Sequence, residues 1–148
     1  MPTERGKLLE LAEWCEAAEG PDRELDAQIW LACVPGSTRS ELRYWHAAIG
    51  KECVIDETRQ ADGRLIVVPA YSASIDAAMT LVPEGWFCMV ANGYDKKGKP
   101  CLVKSTAFIC PLDNIAGAEP VNATTPALAL TAACLRARAT ENTDAPFA

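Results

Sequence analysis

The sequence predicts an α/β fold in which a small, partly antiparallel sheet carries helices on both faces, an α/β/α sandwich. Helical apolar periodicity occurs near both ends of the chain and once in its middle, and short strand-like runs lie between these helices. The chain has 148 residues, of which 49% are hydrophobic. This length suits one domain with one core, expected to span residues 1–139 and to be followed by a flexible tail at 140–148.

The stretch from Pro69 to Trp86 links most of the predicted elements. Pro69 ends a β-branched strand, because proline has no N–H to donate to a ladder. Ser72 or Ser74 can cap the helix that follows, and Asp76 lies in the first turn of that helix. The residues expected on the core side of this helix are Ile75, Met79 and Val82.

Three further helices are predicted at the two ends of the chain. The ranges 7–18 and 22–33 are separated by only a few residues and should form an antiparallel pair. Thr124 or Thr125 can cap the third helix, and Pro126 then occupies the first helical position. The following residues are almost all Ala and Leu, which is typical of a helix that is buried on most sides.

Residues 40–50 read SELRYWHAAIG and predict a short helix that Ser40 caps and Gly50 closes. This segment carries Arg43, Tyr44 and the single histidine, His46. Two interpretations stay open: a surface helix with one aromatic side packed inward, or a ligand-facing patch of aromatic and cationic groups.

The predicted strands are short. Leu65–Val68 is rich in β-branched residues, and residues 51–64 before it are ambiguous. Residues 86–91 and 101–110 should pair as a hairpin around the turn-forming sequence GYDKKGK. Residues 112–121 are expected to be a loop.

Charge and composition exclude several classes of protein. The net charge of -6 disfavours binding to long nucleic acids, which requires a basic surface. The sequence shows no secretory signal and no apolar stretch that could span a bilayer, so we expect a cytoplasmic protein with no membrane partner. The seven cysteines are then expected to be reduced thiols.

No catalytic or cofactor motif is recognisable. CxxC and HxxxH pairs, GxSxG, the P-loop and GxGxxG are all absent. The sequence therefore predicts no catalytic residues, no metal site and no cofactor.

Two helix starts are the most informative polar features. AYSAS and NATT each place hydroxyl groups and unpaired backbone N–H groups at a helix N-terminus, where anions are stabilised. If both starts share one edge of the sheet, they could form one pocket with aromatic walls. The candidate residues are Tyr71, Ser72, Ser74, Asp76, Trp86, Thr124 and Thr125, with Arg43, Tyr44 and His46 as additional candidates. Ordinary helix capping is the alternative explanation for these hydroxyl groups.

Three segments, Gly20–Trp30, Pro69–Trp86 and Ala123–Arg138, resemble the small bacteriophage and prophage proteins of the phage ABA sandwich domain family. The resemblance leaves out residues 35–64, which look like an insertion or a divergent part. It implies an α/β/α sandwich, a phage or prophage origin and action in the bacterial cytoplasm. It implies no catalytic residues.

The expected function is that of a phage accessory protein that sequesters a small anionic ligand without turnover. A nucleotide-derived immune signal of the host would be such a ligand, and a homo-oligomer is expected to hold it. One alternative is a protein-interaction or assembly factor, which would expose an apolar patch. The other is a nucleotide hydrolase, which would require a carboxylate cluster or a metal.

Overall fold

A computed structural model describes residues 3–94, 97, 99–115 and 118–141 of the chain. The helices are α1 Glu4–Ala17, α2 Arg23–Cys33, α3 Ile75–Met79 and α4 Pro126–Glu141. The strands are β1 Thr38–His46, β2 Lys51–Arg59, β3 Leu65–Ile66, β4 Trp86–Tyr94, β5 Pro100–Pro111 and β6 Val121–Ala123.

The strands form two separate sheets, in the orders β1-β2-β3 and β4-β5-β6, and every pairing is antiparallel. The predicted α/β class is confirmed, since helices pack against strands. The sequence indicated one partly antiparallel sheet, whereas the structure has two fully antiparallel ones. Both sheets are built on hairpins, β1–β2 and β4–β5, which need no crossover helix.

Helix α4 lies at the centre of the core. Every residue from Ala127 to Leu135 is buried, which confirms the expectation of a helix that is buried on most sides. It packs against α1 on one side and against β5 and β6 on another. Its alanines allow this close approach, because they add little volume between the backbones.

The helices cover one face of the sheet β4-β5-β6. Cys88, Ala107 and Val121 lie on this inner face and pack into the core cluster. Side chains alternate along a strand, so Phe87 and Met89 lie on the opposite face. Met89 is exposed there. The sequence predicted helices on both faces of a sheet, whereas helices cover one face of the sheet β4-β5-β6.

Helix α3 is shorter than the sequence indicates. Ser74 caps it by accepting a hydrogen bond from the N–H of Ala77 at 3.2 Å. Ile75 and Met79 were expected in the core but are exposed, whereas Ala78 and Leu81 are buried. A five-residue helix has little more than one turn, so it turns few side chains inward: Ala78 is its buried residue, and Leu81 lies just beyond its end.

The helix predicted for residues 41–49 is wrong. Residues 38–46 are strand β1, which pairs residue by residue with β2 from Thr38–Arg59 to His46–Lys51. The carbonyl of His46 accepts from the N–H of Gly50 at 2.9 Å, and Gly50 has a φ of 65°. Such a left-handed turn favours glycine and closes a hairpin as well as it ends a helix. Pairing with β2 over nine residues decides between the two structures.

The segment 35–64, which the family resemblance leaves out, contains the whole β1–β2 hairpin. Residues 112–121 were expected to be a loop, but Val121 begins β6. Of the tail predicted at 140–148, Thr140 and Glu141 continue α4, and residues 142–148 lie outside the described residues. Part of the predicted turn GYDKKGK, residues 95, 96 and 98, also lies outside them.

Candidate functional site

The segment predicted to begin the ligand site is a buried junction between helices. Ser72 Oγ accepts from the N–H of Asp22 at 2.8 Å, and the N–H of Ser72 donates to Asp26 Oδ1 at 2.7 Å. Thr131 Oγ1 donates to the carbonyl of Tyr71 at 3.0 Å. Tyr71, Ser72 and Asp26 are all buried. Burial is also the main cause that raises the pKa of Tyr71 to about 12.

The two predicted helix starts have capping partners of their own. Ser74 caps α3, and Thr125 Oγ1 accepts from the N–H of Leu128 at 3.3 Å at the start of α4. Thr124 Oγ1 donates to the carbonyl of Ala18, just after α1, at 3.0 Å. Asp76 is exposed in the first turn of α3. These contacts agree with capping, and binding of a ligand by these hydroxyl groups stays a prediction.

Trp86 is the predicted site residue that lines a cleft, here named the α4 cleft. The cleft has a volume of about 530 Å³ and lies between the last two turns of α4 and the ends of the strands. Arg136 Nε donates to Glu16 Oε2 across it at 3.0 Å. The ionisable groups of the lining are Glu16, Glu119, Glu141 and Arg136. Carboxylates therefore outnumber guanidinium groups, and neither helix start predicted to bind a ligand contributes to this cleft.

A second cleft, named the hairpin-base cleft, has a volume of about 390 Å³ and lies between α2 and the sheet β1-β2-β3. Arg39 spans it and binds two carboxylates: Nη1 donates to Glu24 Oε1 at 2.9 Å, and Nε donates to Asp56 Oδ1 at 3.0 Å. These hydrogen bonds to Arg39 lower the pKa of Glu24 to about 2 and lower the pKa of Asp56. They also raise the pKa of Arg39. The guanidinium of Arg39 is thus already occupied by anions of the protein.

The sheet β1-β2-β3 presents an apolar surface to solvent. Alternation along β1 and the register with β2 place one set of apolar side chains on a single face, named the hairpin apolar face. Leu42 is 49% exposed at its centre. The rings of Tyr44 and His46 lie side by side on this face, with centroids 6.1 Å apart. The face consists of Leu42, Tyr44, Cys53, Ile55 and Leu65.

The opposite face of the same hairpin carries charged side chains together with the exposed Trp45 and Val54. Arg43 lies there, within 3.6 Å of Glu41 and 4.0 Å of Glu52. The predicted candidates Arg43, Tyr44 and His46 are therefore divided, because neighbouring residues of a strand point to opposite faces. The sequence prediction missed Leu42 and Ile55. The alternation of Leu42, Tyr44 and His46 was the signal that could have revealed them.

Two buried thiols, Cys15 and Cys134, are unsuited to nucleophilic chemistry. Burial is the first cause that raises the pKa of Cys15 and of Cys134 to about 12, so both stay protonated at neutral pH. Within residues 3–94, 97, 99–115 and 118–141, no three His, Cys, Asp or Glu side chains are grouped as metal ligands would be. Over the same residues, no helix combines the length and apolarity needed to cross a bilayer.

Comparison of the chain with protein-family models, with curated proteins and with solved structures found no match. The resemblance to the phage ABA sandwich domain family stays a prediction.

Proposed function

We propose that this protein is a non-enzymatic interaction factor that binds another protein through the hairpin apolar face. The observation that carries the proposal is where the exposed large apolar side chains lie. Among the described residues, fourteen large apolar side chains are exposed, and eight of these side chains fall between residues 42 and 67. They are Leu42, Tyr44, Trp45, Ile49, Val54, Ile55, Leu65 and Val67. Leu42, Tyr44, Ile55 and Leu65 lie on the hairpin apolar face, whereas Trp45 and Val54 lie on the opposite face of the hairpin.

Exposed apolar side chains that share one face, as Leu42, Tyr44, Ile55 and Leu65 do, typically mark an interaction site. Aromatic residues are also enriched where proteins meet, and β1 contributes Tyr44 to this face. The charged groups around the apolar face would form the polar rim of such an interface. A strand surface of this breadth suits a protein partner better than a small molecule.

Electrostatics also favours a protein partner over a small anion. Carboxylates outnumber guanidinium groups in the α4 cleft, and in the hairpin-base cleft Arg39 is already bound by Glu24 and Asp56. An anionic ligand would have to compete with these carboxylates. Sequestration of a nucleotide-derived ligand stays a prediction. A rise in melting temperature with one member of a nucleotide panel would support it.

Affinity capture with matched variants tests the proposed function. Ile55→Lys places a charge in the hairpin apolar face, and Met79→Lys places the same charge on a similarly exposed residue of α3. The wild type and Met79→Lys should retain one stoichiometric partner from extracts of the cells that produce the protein, and Ile55→Lys should lose it. Equal retention by all three baits, or no stoichiometric partner with any of them, would overturn the proposal.

A further inference from the structure

Strand β1 has an unpaired long edge. In the described residues β2 is its one strand partner, because β1 lies at the end of the order β1-β2-β3. The pairing with β2 runs over nine residues without a register shift, so no bulge twists β1 away from a further strand. Its sequence TRSELRYWH also contains no Pro, Gly or Lys. Proteins commonly use short strands, bulges, proline or charged side chains, lysine above all, to protect such edges from pairing. The charged residues of β1, Arg39, Glu41 and Arg43, are of both signs, so a second strand can pair them with opposite charges.

From this edge we infer that β1 pairs antiparallel with β1 of a second copy of the chain, about a two-fold axis at Leu42. Leu42 is the midpoint of Thr38–His46, so this register is the one that pairs all nine residues. It places Glu41 of each chain directly opposite Arg43 of the other chain. Directly opposite residues of antiparallel strands lie on the same face, where opposite charges attract. The two-fold axis produces this attractive pair twice.

Neighbouring registers are electrostatically worse. An axis at Glu41 sets Glu41 against its own copy and Arg39 against Arg43, and an axis at Arg43 sets Arg43 against its own copy. Like charges directly opposite each other destabilise a sheet. The charges of β1 therefore select the same register that the strand length selects.

The position of Glu41 within one chain gives independent support. In the hairpin, Glu41 lies directly opposite Asp56, which is a like-charge pair. Its side chain is 62% exposed, and that of Arg43 is 63% exposed. Arg43 of the same chain lies 3.6 Å from Glu41, and Arg43 of a second copy would bring a further cation to the open side of Glu41, away from Asp56.

The pairing would produce one continuous sheet in the order β3-β2-β1-β1-β2-β3. Leu42 of each chain would meet at the axis, and the two hairpin apolar faces would join into one surface. This inference goes beyond the proposed function. The pairing uses the edge of the sheet, whereas the proposed partner uses its face, so either can fail without the other.

Charge exchange tests the inference. Measured by light scattering after size exclusion, the wild type should have twice the 15.9 kDa mass of one chain. The single variant Glu41→Arg sets two guanidinium groups against each other in both pairs, and the single variant Arg43→Glu sets two carboxylates against each other. Each single variant should therefore halve the mass to that of one chain. An equimolar mixture of the two variants restores both attractive pairs in the mixed dimer and should regain the double mass.

The double variant E41R/R43E also restores the pairs within one chain type and should be dimeric. Circular dichroism checks that each variant is folded, which the exposure of both side chains leads us to expect. A wild type that has the mass of one chain at every concentration would overturn the inference. So would single variants that stay dimeric, or a mixture that stays monomeric. Ile55→Lys leaves the sequence of β1 unchanged. If this variant loses the captured partner but keeps the mass of a dimer, pairing through β1 and binding of the partner are separate properties.

Discussion

The two sheets contain the same number of strands but differ in what covers them. The sheet β4-β5-β6 buries one face under α4, and its inner side chains belong to the core cluster. The sheet β1-β2-β3 projects a long hairpin with both faces largely exposed, and the Arg39 ion pairs connect it to α2. Stability should therefore depend on β4-β5-β6, whereas binding should depend on β1-β2-β3.

The largest expected effect tests this contrast with the same substitution in both regions. Leu130→Ala opens a cavity in the centre of α4 and should lower the free energy of unfolding by about 2–5 kcal/mol. Leu42→Ala removes the same atoms from the exposed hairpin and should cost about 0.5 kcal/mol or less in the monomer. Urea denaturation at low protein concentration measures both. Similar losses for the two variants would show that the hairpin contributes to the core.

A smaller effect is expected at the junction between α2 and the segment before α3. Asp26→Ala leaves the buried N–H of Ser72 without its 2.7 Å acceptor and should cost about 1–3 kcal/mol. Asp26→Asn keeps an acceptor oxygen and is the matched control, with a smaller loss. Thermal denaturation followed by circular dichroism measures both. An alanine variant as stable as the wild type would contradict a structural role for this buried carboxylate.

The smallest effect is expected at the ion pairs of Arg39, which connect the hairpin to α2. Arg39→Ala removes the ion pairs to Glu24 and Asp56, and since these groups are partly exposed the cost should be about 1 kcal/mol or less. Folding lowers the pKa of Glu24 from 4.5 to about 2, so its contribution is complete above the unfolded pKa and is lost as the pH falls through this range.

Denaturation at neutral pH and at values between 4.5 and 2 measures this dependence. The difference between the wild type and Arg39→Ala should shrink as the pH falls. Arg59→Ala is a control, because its partner Glu57 lies on the same strand and does not connect the hairpin to α2. A difference that stays constant over the whole range would contradict the linkage to Glu24 and Asp56.

The elements that the sequence predicted well are determined by residues within or next to those elements. Pro126 begins α4, and the run of Ala and Leu that follows is buried as expected. Ser74 and Thr125 cap the helices that follow them. In contrast, the strand conformation of β1 depends on pairing with β2, and the sequence of β2 gave no clear prediction of secondary structure. The turn at Gly50 is compatible with a helix end or a hairpin, so local reading could not separate the two.

The candidate site shows the same limit. Ser72 was predicted as one of two candidate caps, but Ser74 caps α3, and the partners of Ser72, Asp22 and Asp26, lie about fifty residues earlier in the chain. Sequence spacing cannot show that these groups meet. The hairpin apolar face also depends on long-range information, because Leu42 and Ile55 share a face only through the strand register. A helical interpretation of residues 41–49 distributes the same side chains around an axis.

The burial of α4 on all sides has a consequence for the order of synthesis. Every strand precedes α4 in the chain, so the inner faces of β4 and β5 emerge from the ribosome before the helix that covers them. Uncovered apolar surface during synthesis promotes aggregation and recognition by chaperones. A ribosome that pauses between Pro111 and Pro126 would prolong this vulnerable state. Synonymous codon changes in that interval should therefore alter the yield of folded protein without altering its sequence.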